Sequence, residues 1–304
     1  MENLLDVTGR IMSLAKAKGL ELRPDSAVLD DNGWDFSVVH TIAVDGIAWV
    51  LRVPRRPEVV VAAAAEQRLL TLLQGRFTVA IPEWRLSDDE LIAYPRLAGE
   101  PAAWEDPLTY ELRWRLDRTN PPERYVTALG KFMAELHGTT VADAAATGIP
   151  VRSAGDVRTR FANQLSFGVT ELGIHPTWRK RGERWIDQDA LWAETMVPIH
   201  GDLHPGHTLV DDDGALVGIL DWTDAEVGDP GQEFVEAARK FERRMLDELI
   251  EAYRRHGGPA WPGLHGHVTE AIAFAPLALG VLGLEAGKER YVEAARARLS
   301  VPTS

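Results

Sequence analysis

The chain has 304 residues, 45% of them hydrophobic and 26% charged, a balance that builds globular domains with buried cores. It contains no cysteine, which excludes a disulfide framework and any thiolate metal site. The formal net charge of −13 disfavours nucleic acid as a partner and favours a cationic small molecule over an anionic one.

The first twenty residues carry Leu4, Leu5, Val7, Ile11, Leu14 and Ala15 on helical spacing, which predicts an amphipathic helix. Glu2 and Asp6 interrupt any apolar stretch there, so this is not read as a signal peptide and a cytoplasmic location is expected. Residues 38–44 and 47–53 are β-rich runs joined by Asp45-Gly46, the signature of a hairpin. Residues 58–73, rich in alanine and leucine, predict a helix. Residues 80–97 predict two further strands around the turn Ser87-Asp88-Asp89. Gly99, Pro101 and Pro107 then mark a lobe boundary over 98–107. Beyond it helices are predicted at 123–137, 153–172, 185–196, 232–256, 266–284 and 288–299, interrupted by one strand pair, 208–210 and 215–220. The apolar run 271–284 is broken by Pro276 and is shorter than the ~18–20 residues that span a bilayer. A buried helix pair or a kinked helix is expected there, and no membrane association. Strands first and helices after predict an α+β protein: a β-rich N-terminal lobe, residues 1–97, and a mainly helical C-terminal lobe, residues 98–304.

The segment richest in chemistry is His200-Gly201-Asp202-Leu203-His204-Pro205-Gly206-His207. It is followed by the turn Asp211-Asp212-Asp213-Gly214 and by Asp221-Trp222. A short hairpin reversed at Asp213-Gly214 makes its two open ends neighbours. Asp202 and His207 precede the first strand and Asp221 follows the second, so a carboxylate, an imidazole and a second carboxylate converge. Such a set suits metal-assisted phosphoryl transfer. Mg²⁺ takes few protein ligands plus phosphate oxygens and water, and the spare carboxylate handles an incoming hydroxyl. A zinc hydrolase built from His200, Asp202, His204 and His207 is the other reading, against which Pro205 and Gly206 break the helix that would align the histidines. A scaffold that has lost catalysis is the non-enzymatic reading, and the presence of both Asp202 and Asp221 argues against it.

Asp202, four residues, His207, and then Asp221 across a hairpin resembles the kinase arrangement of catalytic loop and metal-binding Asp. The His-Gly-Asp-Leu-His-Pro-Gly form resembles the aminoglycoside phosphotransferase superfamily. His207, with the run Ile219 to Ala225, is similar to the macrolide 2′-phosphotransferases, as are the segments 31–36 and 49–56. The resemblance spans roughly 30–240 and implies a bilobal, protein-kinase-like fold. It also implies a GTP-dependent kinase, with Mg²⁺, that phosphorylates and inactivates a macrolide. A kinase for an aminoglycoside, a choline-like amine or a sugar is the alternative. By the resemblance Asp202 is the base that accepts the hydroxyl proton, and His207 and Asp221 are the metal ligands. His200 and His204 are read as structural.

A kinase places a cation on the nucleotide phosphates and pairs it with a helical carboxylate. No lysine occurs between Lys18 and Lys131, so Arg52 is expected in that role with Glu66 as its partner. Gly33 and Ser37 belong by resemblance to the phosphate-covering turn, and Tyr94 and Leu97 to the segment that meets the base. Asp229, followed by Pro230 and by Gln232, predicts a helix N-cap and is also a candidate for holding a substrate cation, with Asp224 and Glu226. Phe274, Leu277 and Ala278 are candidates for an apolar acceptor wall, against the simpler reading of helix packing. A monomer acting on small molecules is expected.

Overall fold

The computed structural model describes residues 4–303 apart from 31, 32, 34, 107–110, 242 and 243. In chain order the elements begin with helix α1 (Leu4–Ala17), strands β1 (Val28–Asp30), β2 (Phe36–Ile42) and β3 (Ala48–Pro54), and helix α2 (Pro57–Leu73). Short strands follow: β4 (Leu86–Ser87), β5 (Ile92–Pro95), β6 (Glu100–Pro101), β7 (Ala103–Glu105) and β8 (Leu112–Trp114). Then come helices α3 (Glu123–His137), α4 (Val141–Ala146), α5 (Ala154–Phe167) and α6 (Pro176–Ile186), with strands β9 (Val197–Ile199), β10 (Thr208–Val210), β11 (Leu216–Ile219) and β12 (Glu226–Gly228). Helices α7 (Pro230–Ala238), α8 (Arg244–Arg255), α9 (Leu264–Glu285) and α10 (Glu289–Leu299) complete the chain. The α+β order of the sequence reading is therefore observed, β-rich first and helical after.

Two compact units result, and they interleave in sequence. Residues 1–117, 142–149 and 205–225 form the first, and residues 118–141, 150–204 and 226–304 the second. A single cut at residue 97 does not describe this division. The stretch expected as a boundary is a strand instead: β6 pairs antiparallel with β10, Pro101 facing Leu209 and Glu100 facing Val210. Gly99 makes that approach possible. It sits at φ +88, and a Cβ there would come within 2.6 Å of Val217 and 2.9 Å of the Val210 carbonyl oxygen.

The first unit is built on an antiparallel sheet of order β1-β2-β3-β5-β4. Strand alternation sends Val39, Leu51 and Ala93 to one face, under Ile11 and Ala15 of α1. The opposite face carries Val50, Ile92 and Tyr94 against Val59 and Ala63 of α2. The β2–β3 connection is the expected Asp45-Gly46 turn, with Gly46 at φ +90 and the Asp45 carboxylate accepting from the Ile47 amide.

The second unit is helical. Its core gathers Trp178, Trp185 and Trp192 with Phe274, Leu277, Val281 and Val292. Several expected helices differ from those observed. The helix expected over 185–196 is replaced by α6, which begins at Pro176 and ends at Ile186. The single helix expected over 232–256 is two, α7 and α8. Region 153–172 is α5 followed by a wider π turn, Gly168–Leu172, closed by Gly173 in the left-handed conformation. Region 271–284 lies within one 22-residue helix, α9, which passes through Pro276 without dividing. By length and composition α9 is apolar enough to cross a membrane. Here its residues Val268, Phe274 and Leu277 are buried in the second unit.

Candidate active site

In the first unit, the hairpin of β10 and β11 does what the sequence spacing requires. Thr208 faces Ile219 and Leu209 faces Gly218. The Asp211 carboxylate accepts from the amides of Asp213 and Ala215, and Gly214 takes a positive φ, which closes the turn. The ladder continues past the strands, because the Leu220 amide donates to the His207 carbonyl at 2.8 Å. His207 and Asp221 are brought together by that extra rung, with Nε2 and Oδ2 3.7 Å apart. Asp221 is the one non-glycine residue at positive φ (+56) among the described residues. Trp222, next to it, is buried and stacked on Phe77.

Behind Asp221 lies a buried charged network. Arg52, on β3, is 5% exposed and Glu66, on α2, 2%. Arg52 Nη1 donates to Glu66 Oε1 at 2.9 Å, so the expected partnership of strand cation and helix carboxylate is present. Arg52 Nη2 donates to the Thr223 hydroxyl at 3.1 Å and lies 3.7 Å from Asp221 Oδ1. The guanidinium also rests on the Phe36 ring, 3.9 Å from its centroid. Burial pulls the Arg52 guanidinium down, but the fields of Glu66, Tyr94 and Asp221 outweigh it and hold the group above its ordinary range. Burial pushes the Tyr94 hydroxyl up to about 12, with Arg52 opposing.

The remaining residues assigned to the nucleotide side are less tightly defined. Ser37, half-buried, lies on β2 opposite Val53, and Gly33 is exposed ahead of β2. Leu97 is half-buried just beyond β5, close to Gly218. Asp31, Asn32 and Trp34, which belong to the same motif as Gly33, lie outside the described residues.

In the second unit, β9 pairs with β12, Ile199 facing Glu226, and leads into the loop that carries Asp202. That loop is held from beneath. Glu233 of α7 is fully buried and accepts from the Gly201 amide at 2.8 Å and from the His200 amide. Burial pushes the Glu233 carboxyl up to about 8. His200 is fully buried, and its Nδ1 accepts from the Asp202 amide at 3.3 Å. His204 Nε2 stands 3.7 Å from Asp202 Oδ2. His200 thereby braces the loop through its Nδ1.

Four candidates for the acceptor side are corrected by their surroundings. Asp229 is a buried N-cap for α7: one carboxylate oxygen accepts from the Gly231 amide and the other meets His267 Nε2 at 2.7 Å. Both oxygens are engaged inside the core, so it does not present a charge to a substrate. Glu226 is likewise buried and paired with Arg152 at 2.6 Å. Phe274 packs edge-on to Phe161 and Trp178, and Leu277 is fully buried beside it, which is core packing rather than a wall. Ala278 faces outward on α9 and is exposed. Sequence reasoning missed Thr223, which sits in the middle of the Arg52–Glu66–Asp221 network, and Glu233, which holds the Asp202 loop. The signal for Thr223 was its place two residues after Asp221.

A model of the phosphotransferase enzyme family matches residues 27–267. The uncharacterized protein YcbJ of Bacillus subtilis strain 168 is 38% identical over 291 residues, covering 96% of this chain and 95% of its own. Among solved structures, the macrolide 2′-phosphotransferase MphH apoenzyme of Brachybacterium faecium is 39% identical with a TM-score of 0.85, covering 98% of this chain and 99% of its own. A macrolide 2′-phosphotransferase type I is 30% identical with a TM-score of 0.87, covering 99% of both chains. The aminoglycoside phosphotransferase APH(2″)-IIIa, in complex with GDP and kanamycin, shares the kinase-like fold at 22% identity and a TM-score of 0.76, covering 97% of both chains. The buried Arg52–Glu66 pair, the braced Asp202 loop and the His207–Asp221 hairpin thus lie within the region that the family model covers, and the chain belongs to the phosphotransferase enzyme family, as a kinase that acts on a hydroxyl.

Proposed function

We propose that this enzyme is a GTP-dependent macrolide kinase that phosphorylates the 2′-hydroxyl of the macrolide amino sugar and so inactivates the antibiotic. The observation that carries this reading is the likeness, over nearly the whole chain, to two macrolide 2′-phosphotransferases at 39% and 30% identity. Asp202 is the base: it takes the hydroxyl proton as the substrate oxygen attacks the terminal phosphorus, and the nucleoside diphosphate leaves. Arg52, kept charged by Glu66, is the cation of the nucleotide side, and Gly33, Ser37, Tyr94 and Leu97 are the other residues assigned to that side. Fold neighbours hold GDP, ATP or ADP, which supports a nucleotide as donor, and GTP is the donor this reading carries. A cytoplasmic monomer is the assembly this reading carries.

His207 and Asp221 are the residues that would hold Mg²⁺. Their donor atoms lie 3.7 Å apart. Adjacent ligands of an octahedral ion bound at ~2.1 Å are separated by ~3 Å, so both fit one coordination sphere after a small adjustment. The carboxylate suits Mg²⁺ and the imidazole suits Mn²⁺ as well, which makes Mn²⁺ a fair probe of the pair. When bound, the metal neutralises charge on the phosphate oxygens.

The acceptor is the part to test first. Labelled GTP is supplied with erythromycin, kanamycin, choline and glucose in turn. Phosphate on erythromycin is the expected result. Phosphate on one of the others and none on erythromycin would replace the macrolide with that acceptor class.

A further inference from the structure

The Thr223 hydroxyl has one proton and three partners. It accepts from Arg52 Nη2 at 3.1 Å, and it faces Asp221 Oδ1 at 2.9 Å and Glu66 Oε2 at 3.1 Å. A hydroxyl donates once, so its proton serves one carboxylate at a time. Glu66 already has Arg52 on its other oxygen. Asp221 is 46% exposed on its side chain and projects Oδ2 toward His207. Its backbone, at φ +56, lies in the left-handed region, which is uncommon for a residue other than glycine although aspartate adopts it more readily than most.

We propose that Thr223 is a positioning residue that fixes the aim of the Asp221 carboxylate and ties it to the buried Arg52–Glu66 pair. In the absence of a cation the proton serves Asp221, whose Oδ1 is then held toward the interior while Oδ2 stays beside His207. A cation on Oδ2 compensates the Asp221 charge and frees the Thr223 proton for Glu66. Metal binding at the hairpin and the hydrogen bonding of the Arg52–Glu66 pair are thereby coupled through one hydroxyl, and the coupling runs both ways. This rests on the reading of Asp221 as a metal ligand. Groups that orient a metal ligand typically contribute about 10- to 100-fold in metal affinity.

The test is Mn²⁺ binding, followed by the loss of the free-ion electron paramagnetic resonance signal in the presence of GDP. It is carried out on the wild type and on Thr223→Val, Thr223→Ala, Thr223→Ser and Asp221→Asn, with thermal melting to verify folding. Removing the hydroxyl, with Thr223→Val or Thr223→Ala, is expected to weaken Mn²⁺ binding by about 10-fold or more. Thr223→Ser, which keeps the hydroxyl, is expected to stay within about threefold of the wild type. Should Thr223→Val fail to fold, Thr223→Ala and Thr223→Ser make the same comparison at this half-buried position. Valine and alanine variants that bind like the wild type overturn the proposal, and so does a serine variant as weak as they are, because packing rather than the hydroxyl would then be responsible. Wild-type protein that binds Mn²⁺ no better than Asp221→Asn brings down the metal reading of Asp221 itself, and the role of Thr223 with it.

Discussion

Arg52 and Glu66 show what a buried charge demands. Each is almost fully out of water, and each is balanced by the other and by Thr223, with the face of Phe36 under Arg52 as well. Removing one partner leaves the other charged and desolvated, which costs about 3–5 kcal/mol. Glu66→Ala is therefore expected to lower the melting temperature sharply as well as the activity, and thermal denaturation by circular dichroism checks it. Glu233 makes a different demand, since burial pushes its carboxyl up to about 8 from an ordinary value of 4.5. The folded protein thus retains a proton that the unfolded chain releases between these two values. The stability this group confers is complete below about pH 4.5, falls as pH rises toward 8 and levels off above it. The slope reaches at most about 1.4 kcal/mol per pH unit. Glu233→Gln keeps an acceptor for the Gly201 amide and removes the titration. Its unfolding free energy, measured by urea denaturation from pH 5 to 8.5, is expected to lose that part of the pH dependence. An unchanged slope would mean that Glu233 is not the group responsible.

The elements differ in how readily the sequence discloses them, and the difference follows the range of the interactions. The β2–β3 hairpin and the β10–β11 hairpin are closed by turn residues, Asp45-Gly46 and Asp211 to Gly214, whose chemistry is local and therefore readable. The Arg52–Glu66 pair was readable because a strand followed by a helix brings their faces together over fourteen positions. Strand β6 was not. Its partner β10 lies more than a hundred residues away and its two residues include a proline, so composition suggested a boundary where pairing makes a sheet. Thr223 was equally hidden, since its contact with Glu66 spans 157 positions. The capping role of Asp229 was visible in Asp-Pro-Gly-Gln, whereas its buried partner His267 was not. Helix α9 is apolar nearly all round, so periodicity did not tell its core face from its outer face. The structure separates them, and a pair of substitutions tests the separation. Phe274→Ala, among Phe161, Trp178 and Trp185, is expected to cost about 3–5 kcal/mol of stability. Ala278→Ser, on the exposed face, is expected to stay within about 0.5 kcal/mol.

At the scale of the molecule, two units share the chain so that the segment from His200 to His207 passes from one into the other between His204 and Pro205. The first unit holds the buried cation, the hairpin and Asp221, and the second holds Asp202 on a loop braced by His200 and Glu233. The net charge of −13 suits an acceptor that carries an ammonium group, such as the amino sugar of a macrolide. It suits an aminoglycoside equally, so the whole-molecule field does not choose between them and the acceptor must be identified by chemistry. The most direct measurement is nucleotide turnover stimulated by erythromycin in Mg²⁺, comparing GTP with ATP, for the wild type and for Asp202→Ala. The expected result is erythromycin-dependent turnover, faster with GTP, reduced about 10²- to 10⁴-fold by Asp202→Ala in a variant that melts like the wild type. Erythromycin-independent turnover, or full activity in the Asp202→Ala protein, would contradict the assignment of macrolide as acceptor in the first case and of Asp202 as base in the second.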